Sequence, residues 1–215
     1  MLKRLWLMIA AVMVFGATVG AERAAAQAAG IAGFQIRKTD SRRIRPPDIK
    51  ATDGRARNRA DWWLLQVEYD TAGGRTTPGS RSTWQDEITL DLTILAPAPV
   101  KGARGILMKR SVTYIDVEDR SEPHVADFYI RPGFLERHLK NVSYRDVQFY
   151  VELKAKDRLV ARHDSANGRA GQWWIVDERR VAPFNEELLT RDQTPFAPYD
   201  YDFYEQIKPG PAGGR

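Results

Sequence analysis

The sequence has no cysteine and only three histidines. The first absence removes thiolate metal sites, iron–sulfur clusters, a cysteine nucleophile and any disulfide framework. A domain of this size needs no disulfide, because it can bury enough apolar surface instead. The histidines, His124, His138 and His163, match no zinc-binding spacing such as H-E-x-x-H, and they are expected as surface or capping residues. No G-x-S-x-G elbow, Walker A loop or Rossmann glycine run is present. Paired carboxylates such as Glu118/Asp119 and Glu186/Glu187 fall in turns and element ends, and nothing fixes the separation that a glycosidase pair requires. These absences argue against an enzyme and leave no cofactor or metal to be expected.

Long apolar runs are also scarce. The one at the amino terminus, Leu5 to Val19, follows the basic stretch Met1-Leu2-Lys3-Arg4 and is followed by small residues with Ala-x-Ala spacing. It is shorter than the ~20 residues that span a bilayer, so residues 1–28 read as a cleavable export signal, with Ala21 or Ala28 as the last residue removed, and a retained membrane anchor is the alternative. Removal after Ala28 takes away Lys3, Arg4, Arg23 and Glu22 and lowers the formal charge from +5 to +3. So mild a charge says little about partners. Export itself argues against a nucleic-acid role.

Residues 29–60 read as a basic, partly flexible arm. Nine Lys/Arg and three Asp lie between Arg37 and Arg59, Gly33 to Lys38 has the look of an edge strand, and Arg42 to Pro47 reads as extended linker. Residues 61–182 carry alternation with period two. Trp63, Leu65, Val67 and Tyr69 share one face of a first strand. Trp84, Ile88, Leu90, Leu92 and Ile94 share one face of a second. Between Val112/Tyr114 and Ile115/Val117 the apolar parity changes, which predicts a bulge or a change of sheet. Val147, Phe149, Val151 and Leu153 line another strand, Lys156-Asp157 reverses the chain, and Pro132 to Leu139 reads as a short helix. Gln172 to Val176 is expected as a last strand.

The total is seven or eight strands and one short helix, with no helical periods long enough for parallel crossovers. The fold class expected is all-β, an antiparallel immunoglobulin-like sandwich. Trp63, Trp84, Phe149 and one of Trp173/Trp174 are expected to dominate its core. Residues 183–215 lack strand pattern but carry a dense aromatic run from Phe196 to Tyr204, too apolar for a plain solvated tail, so the aromatic part is expected to pack. Adjacent strand residues point to opposite faces, so Trp62-Trp63 and Trp173-Trp174 each place one indole outward. Trp62, Trp174, Phe196, Tyr199, Tyr201, Phe203 and Tyr204 are therefore the candidate partner contacts.

Asp61-Trp62-Trp63, Trp84-x-Asp86-Glu87-Ile88, Phe128-Tyr129-Ile130-Arg131-Pro132-Gly133 and Thr194-Pro195-Phe196-Ala197-Pro198 together give the chain a familiar look. It resembles the pilus-like proteins of Verrucomicrobia, whose namesake is an outer-membrane-associated protein of Akkermansia. The resemblance implies an immunoglobulin-like sandwich tied to a type IV pilus-like gene cluster, without an established catalytic role, and it carries over no functional residues. The amino terminus departs from a pilin, since Ala-x-Ala spacing follows the apolar run in place of a long assembly helix. The expected function is an exported, non-enzymatic interaction or structural protein of a pilus-like or envelope assembly, in the periplasm, at the outer membrane or on the surface. Its expected partners are proteins, with peripheral membrane association left open. A carbohydrate-binding module using an exposed tryptophan is the alternative, with a glycan as partner.

Overall fold

The computed structural model describes residues 33–46, 60–71, 84–97, 105–120, 122–165, 173–175, 180–198 and 203–209. Residues 1–28, read as an export signal, much of the arm, the loop after Thr71, Tyr199 and Tyr201 lie outside the described residues. Among the described residues ten strands form two sheets. Seven are long: β1 (Gln35–Ile44), β2 (Trp62–Asp70), β3 (Trp84–Ala96), β4 (Gly105–Glu118), β5 (His124–Ile130), β6 (Gln148–Ala155) and β7 (Arg158–Asp164). Three are short: β8 (Val181–Pro183), β9 (Leu188–Thr190) and β10 (Gln206–Ile207). One sheet has the order β1-β2-β5-β9 and the other β10-β4-β3-β6-β7, with β8 added to β4. All pairings are antiparallel except that of β8 with β4. The expected all-β sandwich is what the chain forms.

Period-two alternation builds the core directly. Trp63, Leu65, Val67 and Tyr69 of β2 and Ala126, Phe128 and Ile130 of β5 face Ile88, Leu90, Leu92 and Ile94 of β3, with Val151 and Leu153 of β6 in the same cluster. Each large side chain so buried contributes about 1.5–3 kcal/mol. The parity change in β4 occurs without a register shift, since pairing with β3 keeps one register from Ala96↔Ile106 to Trp84↔Glu118 and skips only the Asp86/Asp116 step. Asp116, at φ 52°, makes the change by itself. β1 runs on to Ile44, with Arg42 opposite Leu64 and Arg43 opposite Trp63, so the stretch read as linker is partly edge strand. Its exposed cations discourage pairing with a second chain.

Two expectations about tryptophans fail. Trp84 is 58% exposed and not core. Asp86, two residues further in and on the same parity, is also exposed, so this end of β3 projects past the sandwich. Trp173-Trp174-Ile175 is a turn and not a strand. The Trp174 ring stacks on Tyr150 at 4.0 Å, and the Trp173 Nε1–H donates to Asp164 Oδ1 at 2.7 Å. Phe149 is only partly buried, though it packs against the core.

The connection from β5 to β6 is a short helix, α1 (Pro132–Phe134), that widens into a π-helical turn over Leu135–Leu139. Pro132 occupies its first turn, where the missing N–H costs nothing. Phe134, Leu135 and Leu139 are buried against the core, and His138 lies between Phe134 and Phe184 at 4.8 and 5.2 Å. The β6–β7 hairpin turns on Lys156 and Asp157, both left-handed at φ 48° and 62°, as a two-residue turn between right-twisted strands requires. Glycine adopts this conformation without the Cβ penalty. Asp157→Gly is expected to raise stability by about 0.5 kcal/mol, seen as a higher urea midpoint. A lower midpoint would contradict the turn geometry.

Candidate functional site

β5 is buried at all seven positions, which a strand with one solvated face cannot be. Its inner face meets the other sheet, and its outer face is covered by the chain after β8. Leu64, Tyr129, Leu189 and Phe196 form a second apolar cluster there, with Ile44 and Trp62 packed against it. Phe196 stacks on Tyr129 at 5.0 Å and meets Trp62 edge-on at 5.8 Å. Arg191, itself buried, donates from Nε to the Phe196 carbonyl at 3.2 Å and lays its guanidinium 3.5 Å over the Tyr204 ring. The chain then reaches β4, where the Lys208 N–H donates to the Thr113 carbonyl at 2.7 Å. The carboxy-terminal segment thus closes one open edge of the sandwich by bridging both sheets.

A buried polar knot secures this clasp. His124, fully buried on β5, places Nδ1 2.7 Å from Glu205 Oε1, and Arg120 Nη2 lies 3.1 Å from the same oxygen. With Nδ1 carrying the proton, the imidazole donates to the carboxylate and turns Nε2 toward Thr71 Oγ1 at 3.4 Å. The ring also stacks on Tyr69 at 5.2 Å. His124 is therefore neither a surface nor a capping residue. A carboxylate 81 positions away in the sequence is what makes its burial tolerable. His138 packs against two phenylalanines, and His163 faces Thr39 of β1 at 3.4 Å, so the three histidines share no partner. Burial lowers the His163 imidazole below its ordinary range. Among the described residues no group of three or more His, Cys, Asp or Glu is placed to hold a metal ion.

Beside the knot is a cavity of about 440 Å³. β9 pairs with β5 only from Phe128 to Ile130, so the β5 edge is open at Asp127. Tyr114 of β4, Asp127, Arg191, Asp192, Tyr204 and Glu205 line the space. Asp127 accepts from Gln66 Nε2 and from the Tyr129 hydroxyl, each at 3.1 Å. Burial nonetheless pushes its carboxyl above the ordinary range, against the opposing pull of hydrogen bonds from Tyr204, Gln66 and Tyr129. The folded state therefore holds the Asp127 proton more tightly than the unfolded chain does. Stability falls as pH rises from the unfolded value through the raised one, and the full cost is present above it. Asp127→Asn is expected to lose no stability at pH 7 and to flatten this part of the stability–pH profile. A clear loss at pH 7 in denaturant titrations would contradict the assignment.

The candidate contacts divide accordingly. Phe196 is buried in the clasp, while Trp62, Tyr204 and Trp174 are half-buried, each with a ring engaged by a neighbour. Phe203 is 55% exposed. The clasp residues Arg191, Asp127, His124 and Glu205 carry no sequence motif, because strands and tail bring them together from distant parts of the chain.

An all-β two-sheet sandwich closed by its own carboxy-terminal segment is the class of protein these features define. A family model with a "-like" designation matches residues 25–210, and the chain belongs to that family. A crystal structure from Akkermansia muciniphila is similar over 83% of this chain and 94% of its own, with a TM-score of 0.69 at 18% identity, a likeness of fold. No curated protein matches the sequence. The likeness to an Akkermansia protein expected from the motifs is met at the level of the fold.

Proposed function

We propose that the chain is an exported, non-enzymatic structural or interaction protein of immunoglobulin-like type, working through protein contacts in a pilus-like or cell-envelope assembly. The observation that carries the reading is Phe203. Its neighbour Tyr204 is held under the Arg191 guanidinium and Glu205 is tied to His124, yet the Phe203 ring, which meets Tyr204 edge-on at 5.2 Å, is more than half exposed. A large aromatic held out on a secured segment suits a partner's apolar pocket, where aromatic side chains supply much of the binding energy. The amino-terminal signal pattern, the family and the likeness to the Akkermansia fold support the same reading.

Phe203→Ser separates contact from folding, whereas deletion of Pro195 to Tyr204 would strip the sandwich of Phe196. Affinity capture from the native envelope is expected to lose specific co-eluting proteins in Phe203→Ser, with the thermal midpoint unchanged. Equal capture by both forms would sink the proposal.

Carbohydrate binding is the second reading, and Trp84 favours it as an exposed indole, in place of Trp62 or Trp174. Glycan-array binding lost in Trp84→Ala would support this reading, and a blank array would end it.

A further inference from the structure

We propose that His163 is an acid-sensitive latch on one edge of the sandwich, which loosens β1 from β7 when the imidazole takes up a proton. This goes beyond the partner contact at Phe203 and does not depend on it.

β1 is the outermost strand of one sheet and β7 of the other, and the two meet across the sandwich without pairing. Residues opposite each other in a ladder point to the same face. Thr39, Ser41 and Arg43 stand opposite the core residues Val67, Leu65 and Trp63, so they form the inner face of β1 beyond its bulge. Ala161 and His163 stand opposite Leu153 and Val151, so they form the inner face of β7. Of β1 only Ile36, before the bulge, enters the main core. The rest of this seam is polar on the β1 side, and half-buried His163 spans it, with Nε2 3.4 Å from Thr39 Oγ1. A neutral ring with Nε2 bare accepts the Thr39 hydroxyl there.

A proton on this ring meets little to offset it. On β1, Arg43 shares the inner face and is of like charge, while Asp40 is on the outer face, where Arg42 and Lys38 engage it at 3.3 and 4.0 Å. Arg37 is bound to Asp70. The inner residues of β2 and β6 beside the seam, Leu65, Val67 and Val151, are apolar, and on the outer face of β6 Tyr150 donates to Glu152 at 2.9 Å. On β7, Arg162 is exposed and Asp164 accepts from Trp173 at 2.7 Å. Burial accordingly outweighs the pull of Asp164 and lowers the His163 imidazole below its ordinary range. The unfolded chain therefore takes the proton more readily than the folded one. The stability that neutral His163 contributes is complete above the ordinary histidine value of about 6.5 and is lost as pH falls from there through the lowered value. β7 is anchored in the core by Val160, whereas β1 beyond Ile36 has no such anchor on its inner face, so β1 is the strand that gives way. β2 is then left as the edge of its sheet, with its backbone groups open on that side.

Native-state hydrogen exchange at about pH 7.5 and about pH 5.5, either side of the ordinary histidine value, reads the loosening residue by residue when each rate is divided into that of an unstructured chain at the same pH. On acidification the β1 amides bonded to β2 are expected to lose severalfold more protection than the β3 amides. His163→Gln, which keeps a polar side chain but does not titrate, is expected to remove that difference. The ring protons of His163, followed by NMR in the wild-type protein, are expected to titrate below the range of an exposed histidine, a reading that stands even where the variant fails to fold. The proposal is overturned if β1 and β3 lose protection alike, if folded His163→Gln keeps the loss confined to β1, or if the ring titrates at or above the range of an exposed histidine.

Discussion

Phe196→Ala is expected to cost about 3 kcal/mol and to expose the outer face of β5. Truncation of a buried phenylalanine loses its transfer energy and leaves a void that its surroundings fill only in part, about 3–5 kcal/mol in well-packed cores. Phe196 sits at 9% exposure in a smaller cluster, so the low end of that range applies. The stack on Tyr129 and the edge contact with Trp62 go with it, together worth about 1–2 kcal/mol of that total. A urea titration measures the loss, and tryptophan emission moving to the red as Trp62 is wetted marks its place. A cost under about 1 kcal/mol would mean that Phe196 rests on the sandwich without holding it.

Glu205→Ala is expected to cost about 2–4 kcal/mol, by a different route. The substitution removes the acceptor of a fully buried imidazole N–H and the counter-charge of Arg120, and an uncompensated polar group inside the protein is costlier than the net worth of the bond. Arg120 is about one-third exposed, which lets water take up part of the loss and holds the figure below that of a fully buried pair. Glu205→Gln keeps an acceptor oxygen for His124 and is expected to recover part of the stability, while Arg120 stays without its counter-charge. Thermal and urea midpoints of the two variants, measured side by side, check the order. Equal stability of Glu205→Ala and wild type would show that the knot contributes nothing.

These two expectations lie in the part of the chain that the sequence pattern left dark. β2, β3 and β6 were legible because one buried face and one wet face print themselves as alternation, and Trp63, Leu65, Val67 and Tyr69 are all core as that pattern requires. Trp84 misled because periodicity says which way a side chain points and not where the facing sheet ends. Trp173-Trp174 misled because an apolar run states the wish for burial, which a turn stacked on Tyr150 meets as well as a strand does. His124 was misread for a related reason. A lone histidine in sequence looks dispensable until Glu205 and Arg120 arrive from elsewhere. The clasp is built from aromatic docking, one cation over a ring and strands of two or three residues, and none of these has a period. Its packing was foreseen from aromatic content alone. The cavity it closes was not.

Native-state hydrogen exchange at the Ala197 and Lys208 amides tests most directly whether the carboxy-terminal segment is a working part of the sandwich. Both donate to backbone carbonyls, Ala197 to Thr194 and Lys208 to Thr113 on β4. If the clasp closes the fold, Lys208 exchanges with a protection approaching that of the β4 amides, and Glu205→Ala lowers the protection of both amides together. Exchange of both at the rate of an unstructured chain, unchanged by Glu205→Ala, would contradict the account.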